Sequence, residues 1–162
     1  MHIPTLFTTT LLLLLPTTTV LAHPVTSSTS PSSPLEARQS RPTKPKPCVS
    51  IANTTEAQHL ANHAKFTDAF IVKKNITAAF EFIRQDYINH NPAAQNGFDS
   101  AWNILSPIWS SQSITPLRNT YRHPQGWLNY RSGSFGEVVD RFRWDGGCIA
   151  EHWDQGERYP TK

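Results

Sequence analysis

Three short stretches of this sequence carry side chains that could move protons. In Val138-Val139-Asp140-Arg141-Phe142-Arg143-Trp144, alternation puts Asp140 on one face with Val138, Phe142 and Trp144, and the arginines on the other. A carboxylate among apolar neighbours is either a buried structural acceptor or a general base tuned by its surroundings, and the residues alone leave both open. In Ile149-Ala150-Glu151-His152-Trp153-Asp154, parity sets Asp154 with His152 and Ala150, and Ile149, Glu151 and Trp153 on the opposite face. A bulge would shift that assignment. His90 lies in Tyr87-Ile88-Asn89-His90-Asn91-Pro92. The residue before a proline is extended, so His90 should follow the end of a helix. There it either closes one end of a cavity or is a satisfied capping or core histidine. Carboxylates and imidazoles in this company suit general acid/base work on a small molecule.

Other chemistries find less support. His59-Leu60-Ala61-Asn62-His63 sets two imidazoles at i, i+4, but Leu60 stands where a zinc protease needs its glutamate and no third ligand is evident. The pair is expected on a solvated helix face. Gly133-Ser134-Phe135-Gly136 lacks the spacing of a nucleophile elbow, and no glycine loop for phosphate exists. Neither a metal nor a cofactor is expected.

The elements that must position these groups occupy the second part of a 162-residue chain. Residues 1–22 read as a secretory signal, with the apolar run Leu11 to Leu15 and small residues at Val20-Leu21-Ala22. That run is too short for a stable membrane span once the signal is cleaved. Residues 23–47 hold 6 Ser, 3 Thr and 6 Pro, and should be an extended, solvated linker or pro-segment. The net charge of +3 belongs to that segment, because from Cys48 onward eleven basic residues meet eleven acidic ones. A basic nucleic-acid-binding domain is therefore excluded. Residues 48–162 form the single domain. Asn53-Thr54-Thr55 and Asn75-Ile76-Thr77 are N-glycosylation acceptors at Asn53 and Asn75. In a secretory chain, Cys48 and Cys148 should bridge, which would stabilise the fold by roughly 4–5 kcal/mol in the chain-entropy model.

Thr55-Glu56-Ala57-Gln58 fits a capping box opening a helix to about Lys73, with Leu60, Ala64, Phe66 and Phe70 on its buried side. Helices are expected over 76–85 and 98–109, the latter ended or kinked by Pro107. Strands are expected over 115–122, 127–131, 137–144 and 148–155, separated by turn residues. Helices followed by an antiparallel meander is an α+β order, and a curled sheet with helices over its concave face leaves a pocket.

The two polar stretches together are similar to the SnoaL-like polyketide cyclase family. Tyr87-Ile88-Asn89-His90-Asn91-Pro92, with Gly97 after it, resembles that family's YxxHNP…G signature. The run from Val139 to Asp154 resembles its vDiFRveDGkIvEHWD ending, and the match spans Lys65 to Gln155. The resemblance implies the cone-shaped α+β barrel of the nuclear-transport-factor-like superfamily, with cofactor-free acid/base chemistry inside the cone. It implies Asp154 as the acid/base on the last strand, Asp140 as the second pocket position, and His90 as a pocket wall. Tyr87, Trp102, Trp109, Phe142, Trp144 and His152 are then expected to line a substrate site for a flat polyketide or terpenoid carbonyl compound. The expected protein is a secreted cyclase or isomerase of small-molecule biosynthesis, compatible with homodimerisation through the open sheet face. Two other readings share this fold: a non-catalytic small-ligand carrier and a shape-driven pericyclase.

Overall fold

The computed structural model describes residues 41–161; the expected signal and residues 23–40 of the expected linker lie outside the described residues. Helix α1 (Glu56–Thr67) opens on the capping box, with the Thr55 hydroxyl accepting from the Gln58 amide and the Gln58 side chain accepting from the Thr55 amide. A π-helical turn, Asp68–Val72, extends it. Helix α2 is only Ile76–Phe80, capped by Asn75. Strand β1 (Ile83–Asn89) follows, then helix α3 (Phe98–Leu105) and a 3-10 turn at Trp109–Ser111. Strands β2 (Ile114–Arg122), β3 (Gln125–Ser132), β4 (Gly136–Asp145) and β5 (Cys148–Trp153) complete the α+β order. The sheet runs β1-β5-β4-β3-β2, with β1 parallel to β5 and the other neighbours antiparallel.

Two elements differ from the expectation. The helix expected over 76–85 stops at Phe80, and 83–89 is a strand. Cys48 donates its amide to the Ile83 carbonyl and Ile149 donates to Phe82, so tertiary pairing captures an apolar run whose local pattern suited a helix. Helix α3 ends at Leu105, two residues before Pro107. Its start needs Gly97, whose φ of 98° and ψ of 148° strongly favour glycine.

The inner face of α1 also differs. Leu60 and Ala64 are exposed, and the buried stripe is His59, His63, Phe66 and Thr67. The i, i+4 histidines are thus core residues rather than a solvated face. His59 accepts a hydrogen bond at Nε2 from the Gly147 amide at 2.9 Å. The His63 ring lies against Gly126, where a Cβ would fall 2.4 Å from ring atoms, so β3 needs glycine there. Phe66, Phe142 and Trp144 pack edge to face around the same region, within the core that joins helices and sheet.

The Cys48–Cys148 disulfide ties the segment before α1 to the start of β5. Before it, Thr43 accepts from Thr77 and Lys44 pairs with Asp99 at the start of α3, so the last residues of the expected linker run extended along the domain. On the outer sheet face, the chain beyond β5 returns over β4, β3 and β2. Glu157 pairs with Arg141 at 2.9 Å and accepts from Trp127, Arg118 lies 4.3 Å over the Tyr159 ring, and Arg122 donates to Thr161. The outer sheet face thus carries the chain's own tail. Among the described residues, no helix is long and apolar enough to cross a membrane.

Neither ring nitrogen of His63 has a hydrogen-bond partner, and burial pulls its pKa down to about 4. The folded state therefore refuses a proton that the unfolded chain accepts below about 6.5. Stability should be full above pH 6.5 and fall as the pH drops toward 4, with a loss of about 3 kcal/mol from this group. Denaturant unfolding at pH 7 and pH 4.5 checks this: His63→Leu should flatten the difference, and an unchanged pH dependence would refute it.

Candidate functional site

A cavity of about 110 Å³ lies between the helices and the sheet. Its body is apolar, built from Phe70, Phe80, Ile83, Tyr87, Ala101 and Phe142 among others, and its polar end is Asn89, Asn91, His152 and Asp154. A second, larger groove of about 350 Å³ runs beside Cys48 and Gly147, but Glu81 is its sole titratable lining residue. The proton-moving groups converge on the smaller cavity.

What brings them there is a bulge in β5. Arg143 opposes Glu151 while the next residue, Trp144, opposes Ile149, so Ala150 is an extra residue. The bulge reverses the phase of the strand. Ile149 enters the core beside Trp144, and His152, three residues later, faces inward opposite Phe142. The parity reading that set Ile149 and His152 on opposite faces is corrected by this one residue. Glu151 and Trp153 point outward, where Glu151 meets Arg143 at 2.6 Å and Trp153 stacks under Arg141 at 4.0 Å. Asp154 follows directly after β5 rather than lying within it.

Asp140 sits behind His152, buried to 4 % exposure, as the alternation on β4 implied. Its Oδ1 lies 3.1 Å from His152 Nε2, and Asn89 Oδ1 lies 3.2 Å from His152 Nδ1. Asn89 Oδ1 also accepts the Asn91 backbone N–H at 3.1 Å, which fixes the orientation of the Asn89 amide. His152 Nδ1 must then donate. The contact between His152 Nε2 and Asp140 accordingly holds one proton, carried either by the ring or by the carboxyl. Asp154 is held separately. Asn91 Nδ2 donates to its Oδ2 at 2.6 Å and the Gln155 amide donates to Oδ1 at 2.5 Å, while Asn91 Oδ1 accepts from Ala93 and so fixes that amide too. Both carboxylate oxygens of Asp154 thus accept a hydrogen bond from an N–H donor.

Tyr87 lines the cavity and remains a phenol: burial pushes its pKa well above the usual range, and the charges of Asp140 and Asp154 add to the effect. Tyr130 is raised likewise, by burial first and then by Asp140. One ligand atom each from Asp140, His152 and Asp154 lie within 4.8 Å of one another. Such a donor set could hold a divalent cation, which would displace the proton shared by His152 and Asp140.

Of the residues expected to form the site, Tyr87, Phe142, His152 and Asp154 line the cavity and Asp140 supports it from behind. His90 does not reach it. The histidine faces outward, stacked 4.3 Å from Trp153 with Nε2 2.9 Å from Glu151, because it follows a strand whose inward positions are Tyr87 and Asn89. The His90 hydrogen bond, and then Arg143, hold the Glu151 carboxyl below its usual range. Trp102 packs against Phe80 and Phe98, Trp109 stacks on Phe70 and donates to its carbonyl, and Trp144 packs in the core against Phe66; none of the three lines the cavity. Asn89 and Asn91 are site residues that sequence reasoning passed over. Their signal was present, since both flank His90 in the same polar stretch.

No family model and no curated protein matches this chain. Solved structures do. An NTF2-like protein of unknown function from Mesorhizobium loti is 16 % identical with a TM-score of 0.50, and the match covers 69 % of this chain and 97 % of that one. A SnoaL-like protein of unknown function from Burkholderia thailandensis is 9 % identical, covering 62 % of this chain and 94 % of the other, at a TM-score of 0.46. TsrD from Streptomyces laurentii is 16 % identical, covering 62 % and 89 %, also at 0.46. The fold is thus the NTF2-like α+β cone that the sequence motifs implied. Fold does not determine function, so the activity must be argued from the site.

The hydrogen-bond pattern makes a direct prediction. In ¹⁵N–¹H correlation spectra, His152 Nδ1 should carry the pyrrole-type shift of a protonated nitrogen, and Asn89→Leu should release that tautomer. A pyridine-type Nδ1 in the unmodified chain would contradict the assignment.

Proposed function

We propose that this chain is a cofactor-independent acid/base enzyme acting on a small carbonyl compound. The observation that carries the reading is the placement of Asp154, a carboxylate held by two donors at the polar end of an apolar cavity, beside the proton shared by His152 and Asp140. Asp154 removes a proton from the carbon next to the carbonyl. The electron pair moves to the carbonyl oxygen, and the enolate oxygen accepts a hydrogen bond from the Tyr87 phenol, whose raised pKa keeps it a donor. Asp154 then returns the proton, to a different carbon in an isomerisation or to the alkoxide formed when the enolate adds to a second carbonyl. His152 has both nitrogens engaged within the protein, so it holds charge and proton near Asp154 rather than attacking substrate.

The rival carrier reading uses the same cavity without chemistry, and one comparison separates them. Small-molecule profiles of the producing organism should be taken with the unmodified chain, Asp154→Asn and Tyr87→Phe, at matched protein abundance. Asp154→Asn should lower one product at least 100-fold while its uncyclised or unrearranged precursor accumulates, and Tyr87→Phe should lower it about 10-fold. Identical profiles would leave the carrier reading in place.

We further infer that the protein enters the secretory pathway and is glycosylated. Support comes from the apolar N-terminal run, the disulfide, and the exposure of both Asn53 and Asn75. Asn75 uses its Oδ1 to cap α2, which leaves Nδ2 as the atom that a glycan would take. Endoglycosidase treatment of protein from its native host should remove two glycans, with Asn53→Gln and Asn75→Gln each abolishing one. A single unglycosylated mass would overturn the inference.

A further inference from the structure

We infer that the cavity takes an uncharged carbonyl compound with a single ring, narrower than the flat polyketide or terpenoid class that the sequence resemblance suggested; the inference rests on the acid/base reading for its chemistry but not for its size and charge limits. Size comes first. Ligand sites for drug-sized molecules span roughly 300–1,000 Å³, and an apolar cavity of about 150 Å³ takes up benzene. At about 110 Å³, this cavity is smaller than that and encloses at most one six-membered ring. Its walls do not widen it, because Phe70, Phe80 and Phe142 belong to the packed core and Phe70 is clamped by the Trp109 ring at 4.0 Å. Rings in cores of this density do not yield a further ring's width cheaply.

Charge comes second. Neither Lys nor Arg is among the lining residues, and the acid at the polar end is Asp154. A carboxylate or phosphate ligand would set its charge against Asp154 in a low-dielectric site with no Lys or Arg to offset it, the His152–Asp140 pair being neutral overall. Tyr87 and Asp154 both line the cavity and the charge of Asp154 reaches the Tyr87 phenol, so the cavity offers a donor and an acceptor, which suits a carbonyl with an adjacent C–H. Ile104, 45 % exposed, stands at the mouth, so a short substituent can project beyond the ring's pocket.

A matched series of probes with no second carbonyl to add to and no second carbon to which the proton could move tests both limits without net turnover. Acetophenone, benzoate and 2-acetylanthracene are titrated into the full-length protein while ¹³C-methyl shifts of Ile83, Ala101 and Ile104 are followed. Acetophenone should bind with a Kd of millimolar or tighter. Benzoate, of the same size, should bind at least 10-fold more weakly, and 2-acetylanthracene should leave the Ile83 and Ala101 methyls unmoved. Ala101→Leu should abolish acetophenone binding; Ala94→Leu, nearer the mouth, serves if that variant does not fold. In Asp154→Asn the penalty on benzoate should shrink to less than 3-fold, because the repelling charge is gone. Binding of 2-acetylanthracene at these methyls, equal binding of benzoate, or no binding of acetophenone each overturns the inference. Size selectivity that survives alongside an Asp154→Asn chain with an unchanged metabolite profile would sink the catalytic reading and leave the ligand class standing.

Discussion

The extra residue at Ala150 governs how β5 serves two masters. Before the bulge the strand feeds Ile149 to the core against Trp144; after it, the strand turns His152 toward the cavity against Phe142. A regular strand would have sent one of the two to the outer face. With His152 outward, Asp140 would be a buried carboxylate without its imidazole partner, which is costly in a low-dielectric interior. The bulge therefore reconciles a packed core with a polar site on a strand of only six residues, Cys148–Trp153.

Around that strand the site is assembled from segments that are individually unremarkable. The last residue of β1, Asn89, and Asn91 in the turn after it fix the His152 tautomer and hold Asp154. Strand β4 supplies Asp140 from behind. Helix α3, α2 and the π-helical turn after α1 supply the apolar walls. Rigid elements thus carry the apolar contacts, while short side-chain amides do the fine positioning. His90, next to both asparagines, is used on the opposite side of the sheet with Glu151 and Trp153.

The outer face is organised just as closely. Arginines 118, 122 and 141 are engaged by Tyr159, Thr161 and Glu157 of the returning tail, and Arg143 by Glu151. Cation–ring contacts and partly buried ion pairs of this kind contribute modestly one by one, yet they occupy a sheet face that would otherwise be free for a partner. On the inner side, the neutral histidines of α1 show another economy. His59 supplies an acceptor for a backbone amide, whereas His63 fills space opposite a glycine and leaves both nitrogens unpaired.

Much of this was legible in the residues. The capping box at Thr55, the four antiparallel strands β2 to β5 and the burial of Asp140 follow from local spacing, because capping, turn chemistry and period-2 alternation act over a few residues, and the cysteine pair follows from there being only two cysteines. The conjunction of the Tyr87–Pro92 stretch with the Val139–Asp154 stretch also pointed to the cone. Tertiary structure decided the rest. It made 83–89 a strand, because pairing with β5 and the tie to Cys48 outweighed a helix-compatible pattern. It buried His59 and His63, because Gly147 and Gly126 meet them across the domain. It turned His90 outward, because Tyr87 and Asn89 take the inward positions before it, and His152 inward, because a bulge reverses parity without leaving a mark in the hydrophobic pattern. Local sequence specifies which conformations a segment can adopt; which face of it meets the cavity depends on partners eighty or more residues away in some cases, and no local period records them.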